Sequence, residues 1–317
     1  MAIIVAECCQ NHNGDFAILK SMVEMAAASG ADYVKIQSIN SNSLSYRERF
    51  ELKKPRGYEG SITRPFAEEK ERLSKLDLSF EQQAEFTRLC RKVGVKSMTT
   101  VFTHEDVERL ANLGFDAIKV ASYDCGSLPL IKRLAEHWNR IFISTGASTL
   151  EEIMATAELM NTLNDRIEFH LLHCTTIYPT PPELFNLGKM LGLRLFSENV
   201  GLSSHPDHSV LGVLGDLIAI YLGASCVERH YTILPANETK DGRVSMTPED
   251  IRTINDFDNL SRAAQKNQLL DCFPQWQSFL GAMFDLSEEE LANRDYYRGR
   301  FCSIKNGNPI YNWENYI

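Results

Sequence analysis

Short apolar runs that end in polar residues recur along the chain. The first, Ile3-Ile4-Val5-Ala6, leads directly into Glu7-Cys8-Cys9-Gln10-Asn11-His12-Asn13-Gly14. A buried strand has no place for a carboxylate, an amide, an imidazole and a glycine in succession, so its C-terminal end must open into a pocket. The pattern returns at 31–37, 95–100, 116–122, 140–146, 167–175, 200–205 and 224–230. Amphipathic stretches of helical length lie between, among them 16–29, 80–93, 104–113 and 150–163. Gly30, Gly94, Gly114 and Gly223 stand just before four of the runs, where a helix C-cap needs the left-handed backbone that glycine adopts most readily.

Alternation of this kind predicts a parallel sheet buried on both faces. Eight units in roughly 250 residues predict an α/β chain folded as a (β/α)₈ TIM barrel, here with a short C-terminal extension. In that fold the polar strand ends gather at one mouth. An open doubly wound sheet is the competing reading, weakened because no G-x-G-x-x-G follows the first run.

Composition narrows the class further. The chain has 317 residues, is 44% hydrophobic and carries a formal net charge of −9. That supports one large core and argues against broad nucleic-acid binding. No run of about 18 apolar residues predicts a membrane span, and no basic segment with a cleavage site precedes the first strand. The eight cysteines show no C-x-x-C spacing. They read as reduced, in a cytoplasmic protein. A nucleophilic role for Cys8 or Cys174 is the weaker alternative to a small buried hydrophobe.

The polar strand ends suggest chemistry. Lys35 and Lys119 end the second and fourth runs. In a core each would cost several kcal/mol unpaired; at a barrel mouth they make a cationic site for phosphate or carboxylate. The alternative is that both snorkel to solvent. Ser122 and Ser144-Thr145-Gly146 add hydroxyls and backbone amides ahead of a helix start near Thr149, an arrangement suited to phosphate. His205 and His230 end the seventh and eighth runs, which are neighbours in a barrel, and form a candidate divalent-metal pair. Glu7 lies beside the eighth run once the barrel closes, as ligand or general base.

Seven motifs in order, from about residue 3 to residue 300, resemble the N-acetylneuraminate (sialic acid) synthase family with its legionaminic and pseudaminic acid branches. They include Ala6-Glu7-Cys8-Cys9-Gln10-Asn11-His12-Asn13-Gly14, Val34-Lys35-Ile36-Gln37, Lys119-Val120-Ala121-Ser122 and Ser144-Thr145-Gly146. His173-Cys174-Thr175-Thr176-Ile177-Tyr178-Pro179 and Glu228-Arg229-His230-Tyr231-Thr232 follow. The resemblance implies a metal-dependent transferase that condenses phosphoenolpyruvate with an amino-sugar aldehyde, N-acetylmannosamine or a relative, to give a nonulosonic 2-keto sugar acid and phosphate. It implies Mn²⁺, with Mg²⁺ or Co²⁺ as alternatives, held by His205 and His230. Glu7, Lys35 and Lys119 would be catalytic. Ser122, Ser144 and Ser203 would hold phosphoenolpyruvate together with the lysines, while Gln37, Tyr178 and Asp241 would line the sugar side. Two readings compete: a metal-independent Schiff-base aldolase using Lys35 or Lys119, and a non-catalytic sugar-binding relative.

The departures from the family pattern are specific. Cys8-Cys9 stands where the family has Ile-Gly, and Thr176 where some members have asparagine. Ser203-Ser204-His205 replaces Ser-Asp-His, and Asp207-His208 offers a second register, with His205 favoured. Residues 1–285 are expected to form the synthase domain. Residues 286–317, through Asn293-Arg294-Asp295-Tyr296-Tyr297-Arg298-Gly299-Arg300-Phe301, resemble a linker and the start of a truncated antifreeze-like (SAF) domain, with a turn at Lys305-Asn306-Gly307-Asn308. The long charged connection Asn40–Asp77, with Arg47, Arg49, Lys53, Lys54, Arg56 and Arg64, exceeds the about 15 residues usual for a loop and reads as a lid, a dimer contact or a solvated excursion. A homodimer is expected, with one subunit's loop or tail near the other's mouth.

Overall fold

The computed structural model describes residues 1–51, 62–163 and 166–316. Strands β1 (Ile3–Cys9), β2 (Tyr33–Gln37), β3 (Lys96–Thr100), β4 (Ala117–Val120), β5 (Arg140–Ser144), β6 (Glu168–His173), β7 (Val200–Ser204) and β8 (Cys226–His230) pair in sequence order and close into a parallel barrel. Every expected strand is present. The expected helices form at Phe16–Ala28, Phe80–Val93, Val107–Ala111 and Leu150–Thr162. Gly30, Gly94, Gly114 and Gly223 all take positive φ, and the chain turns there from helix into the next strand. Ser79 and Gln82, and Thr149 and Glu152, form reciprocal capping boxes that start two of the helices.

Two packing zones follow from the twofold period of a strand. Residues facing outward join the helices in one extended core that includes Ile4, Ile36, Ile118, Ile143 and Leu202. Residues facing inward form a separate apolar plug: Val5, Tyr33, Met98, Ala117, Phe142, Leu172 and Cys226. At the β7 position of this layer stands Gly201, where a Cβ would run into the Cys226 carbonyl and Leu172. Two residues further along each strand or strand end, the inward positions are Glu7, Lys35, Thr100, Lys119, Ser144, Cys174, Ser203 and Glu228, all of which line a cavity. A single polar storey thus rests on a single apolar one.

The connection after β2 contains the helix Phe66–Ser74 and short 3₁₀ turns at Ser41–Ser43 and Glu48–Phe50. Lys53, Lys54 and Arg56 lie outside the described residues. The extension contains the helix Glu288–Tyr297 and a hairpin, β9 (Ser303–Lys305) with β10 (Asn308–Ile310), whose turn is the expected one. It crosses the C-terminal mouth of its own barrel. Asn293 Nδ2 donates to Thr176 O after β6 (2.7 Å), and Arg294 donates to Ala147 O after β5 (2.5 Å). Ser45 N donates to Arg300 O, and Cys302 N to Ser43 O. Asn312 Nδ2 then reaches Phe102 O and Asp124 Oδ1 after β3 and β4. Phe301 anchors the crossing in a satellite cluster with Ile39, Leu44 and Leu73.

Phe301→Ala should remove this anchor and cost about 3–5 kcal/mol. Limited proteolysis should then cut within 286–316 while the barrel persists by circular dichroism; an uncut extension would place the anchor elsewhere.

Candidate active site

The cavity above the polar storey has a volume of about 500 Å³. Strand register decides its chemistry. Glu7 pairs across with Lys35 on one side and His230 on the other, and Thr100 pairs with Lys119. Lys35 Nζ contacts the Glu7 carboxylate and donates to Thr100 Oγ1 at 3.1 Å. Lys119 Nζ donates to Ser144 Oγ at 2.6 Å and lies 3.7 Å from Glu228 Oε1. Ser203 Oγ donates to the same Glu228 oxygen at 3.1 Å. Neither lysine snorkels: both are buried.

Burial lowers the Lys35 ammonium to about 7; Glu228 opposes that shift and Lys119 reinforces it. Burial alone would raise the Glu228 carboxyl, but Lys119, Lys35, the Ser203 hydrogen bond and His230 together outweigh it and hold it below the usual carboxylate range. Its Oε2 is buried without a hydrogen-bond partner.

His205 and His230 stand side by side, ring centroids 5.3 Å apart. Burial lowers both below the ordinary imidazole range; neighbouring His230 and Arg229 deepen the shift at His205, whereas Asp241 opposes it at His230, so both are neutral near pH 7, the form that ligates metal. Tyr178 packs on His205 at 4.1 Å, and Cys174 Sγ lies 3.8 Å from His205 Nδ1. His230 Nδ1 is buried without a hydrogen bond, 3.6 Å from Asp241 Oδ2. Cys9, His230 and Asp241 bring donor atoms within 4.8 Å of one another. Buried neutral imidazoles, an orphaned ring nitrogen and an adjacent carboxylate fit a divalent cation. His208 instead bonds Asp250 at 2.8 Å and does not line the cavity.

Of the other expected residues, Gln37, Ser122, Ser144, Tyr178, Ser203 and Asp241 all line the cavity. Asp241 stands at the metal-binding side, next to His230. Thr145 gives both its amide and its hydroxyl to Leu172 O, so that amide is not free for a phosphate. Sequence reasoning assigned no role to Glu228 or Thr100, and it expected the extension near a partner subunit's mouth, not across the mouth of its own barrel. The twofold period would have found the first two, because each lies two positions beyond an inward apolar residue. Arg64, Tyr297, Arg300 and Asn312 also reach the cavity; they come from distant segments. Arg300 pairs with Glu69. Asp124, bonded by Asn312 and Ser127, is pushed up to about 6 by burial, against the pull of those two bonds.

Two buried, carboxylate-paired lysines and a metal-competent imidazole pair thus share the C-terminal mouth, the face at which barrels of this fold carry their active sites. Residues 22–268 match the NeuB family, and the chain belongs to that family of sialic and nonulosonic acid synthases, which are transferases. An N,N'-diacetyllegionaminic acid synthase of Campylobacter jejuni is 33% identical over 258 residues, covering 80% of this chain and 74% of that protein. A pseudaminic acid synthase of Campylobacter jejuni is 29% identical over 323 residues, 98% of this chain and 85% of that one. The N-acetylneuraminate-9-phosphate synthase of Homo sapiens is 29% identical over 254 residues, 79% and 67% respectively. The fold is similar to that of N-acetylneuraminic acid synthetase from Leptospira borgpetersenii, solved with citrate, at a TM-score of 0.67 and 21% identity over 94% of this chain and 92% of that one. Among the described residues no helix is long and apolar enough to cross a membrane, and all eight cysteines are free.

The lowered Lys35 gives a pH signature. Sulfate keeps its charge across the neutral range, so its affinity should fall as pH rises through about 7 and Lys35 sheds its proton. The folded state holds this proton less tightly than the unfolded chain, so stability rises over the same interval; lost affinity is then not unfolding. Calorimetry that finds sulfate binding flat across this range would remove Lys35 from the anion site.

Proposed function

We propose that the chain condenses phosphoenolpyruvate with an open-chain N-acylated amino-sugar aldehyde, N-acetylmannosamine or a relative, giving a nonulosonic 2-keto sugar acid and inorganic phosphate. The observation that supports this most is the placement of Lys35 and Lys119 in one polar storey, with His205 and His230 at the same mouth. Lys35 and Lys119 hold the phosphate and carboxylate of phosphoenolpyruvate, with hydroxyls from Ser122, Ser144 and Ser203. Carbon 3 of phosphoenolpyruvate forms the new bond to the aldehyde carbon, whose oxygen becomes a hydroxyl. Water adds at carbon 2, and the resulting tetrahedral carbon expels phosphate by C–O cleavage to leave the ketone. Glu7 accepts a proton from, or orients, that water. A divalent ion at His205 and His230, Mn²⁺ in the family resemblance, supplies Lewis-acid polarisation of the aldehyde when bound. Gln37, Tyr178 and Asp241 face the sugar.

By the same reading residues 1–285 are the synthase domain and 286–317 an extension that covers the mouth, in a cytoplasmic homodimer. Burial of Lys35 toward neutrality favours one second reading, a Schiff-base aldolase. Borohydride with pyruvate would label such an enzyme at lysine and leave a phosphoenolpyruvate synthase unlabelled.

Chelation should abolish phosphate release from phosphoenolpyruvate in the presence of amino sugar, and Mn²⁺ should restore it. His208→Ala should leave metal affinity close to wild type, whereas His205→Ala should lower it sharply. Full activity in chelator, or a larger loss from the His208 change, would overturn the metal assignment. Lys119→Ala should weaken phosphoenolpyruvate binding by about 1.5–3 kcal/mol, since it strips a charged donor from a buried anion. Unchanged affinity by calorimetry would place Lys119 outside the site.

A further inference from the structure

The register of β1 breaks between Glu7 and Cys9, and Cys9 takes a φ of 46°. Glycine enters that region freely, whereas a residue with a Cβ does so at a cost. The family motif has glycine at this place, which the backbone explains. A cysteine here needs a different reason, and its surroundings supply one. The Cys9 sulfur, a His230 ring nitrogen and an Asp241 carboxylate oxygen lie within 4.8 Å of one another. His230 is 7% exposed and its Nδ1 has no hydrogen-bond partner, so one buried donor is left unused in this cluster. Cys9 itself is a free, buried thiol. Its neighbour Cys8 faces the opposite way, into the apolar shell under the helices.

We propose that Cys9 is a thiolate ligand of the divalent ion, completing a sulfur–nitrogen–oxygen set with His230 and Asp241, and that this chain thereby binds softer ions such as Zn²⁺, Co²⁺ or Fe²⁺ more tightly than Mn²⁺ and Mg²⁺, which the site still accepts at higher concentration. The inference rests on the metal-dependent reading above and goes further by naming the donor atom and the ion class. Thiolate donors select Zn²⁺ and iron over the hard ions that carboxylate and water suit. On binding, the thiol proton leaves to solvent and the sulfur lone pair forms the bond to the ion. Nothing is oxidised or reduced.

The test loads the metal-free full chain with Co²⁺ under anaerobic conditions, without substrates. Wild type should show visible d–d bands together with a near-ultraviolet sulfur-to-cobalt charge-transfer band. Cys9→Gly suits the backbone at this position, so this variant should fold as well as wild type, and Cys9→Ser serves as a second, oxygen-donor variant. Both should keep the visible bands and lose the charge-transfer band. In competition calorimetry their preference for Zn²⁺ over Mn²⁺ should drop by at least about tenfold, as expected when a metal site loses a contributing partner. Cys174→Ser, which alters the sulfur beside His205, should keep the band. Cobalt bound without a charge-transfer band in wild type would overturn the proposal and leave the metal reading standing. A band that survives in Cys9→Gly would assign the sulfur elsewhere and also overturn it. Failure of wild type to bind Co²⁺ at all would remove the metal reading and this proposal together.

Discussion

Two ammonium groups enclosed by a barrel set the terms for everything around them. Lys35 and Lys119 are 2% and 3% exposed, and a charge so placed is tolerated only when paired. Glu7 and Glu228 provide the pairing, from β1 and β8, the strands that close the barrel. Together the four groups are therefore close to electroneutral. An entering anion with several negative charges gains from the two lysines but meets the two carboxylates at the same depth. Hydroxyl donors from Ser122, Ser144 and Ser203 offset part of that repulsion. A dication beside His230 would offset much more of it, because it stands next to the same carboxylates. On the proposed function, anion binding and metal binding would thus be coupled through Glu7 and Glu228 by simple electrostatics.

The barrel was legible because its rules are local. Glycines at helix ends, apolar runs of strand length and polar residues at their C-terminal ends repeat with the chain, and each can be read without knowing its neighbours. Lys35, Lys119, His205 and His230 were legible for the same reason: each interrupts or ends a run that would otherwise be buried. Glu228 was equally available, since Cys226 and His230 flank it at strand spacing, but a carboxylate between an apolar residue and an arginine reads first as a surface position. What the strand pattern did not contain was anything set by a loop. Asp241 lies well beyond β8, and its approach to His230 depends on the 3₁₀ turn Gly242–Val244 and the contact of Asp241 N with Asn11 Oδ1. The left-handed backbone at Cys9 arises from a register slip in β1, and no spacing in the sequence announces it.

The extension shows the same limit at larger scale. Its turn at Asn306-Gly307 reads plainly, yet its destination does not, because docking depends on partners far apart in the chain: Ser43, Phe102, Asp124, Ala147 and Thr176. The connection after β2 is the other half of that roof. Arg47 donates to the carbonyls of Tyr296 and Arg298, and Arg300 pairs with Glu69, so each segment satisfies backbone or charge that the other would leave bare.

That roof bears on the chemistry beneath it. In the proposed reaction water is both a reactant at carbon 2 and a hazard to any activated intermediate, so the mouth would have to admit it selectively. Over β2 to β6 the rim is covered by Asn293, Tyr297, Arg300 and Asn312. Toward β7, β8 and β1 it is bounded by Tyr178, Lys240, Asp241 and Arg243. Tyr178 remains 47% exposed, which marks this second side as the more open one. It is also the side of His205, His230 and Cys9. On the proposed function, a sugar entering there would meet His205, His230 and Cys9 first, while Lys35, Lys119, Ser144 and Ser203 lie deeper, under the covered half. Such an order suits a reaction in which the small anion binds at the floor and the bulkier aldehyde closes over it.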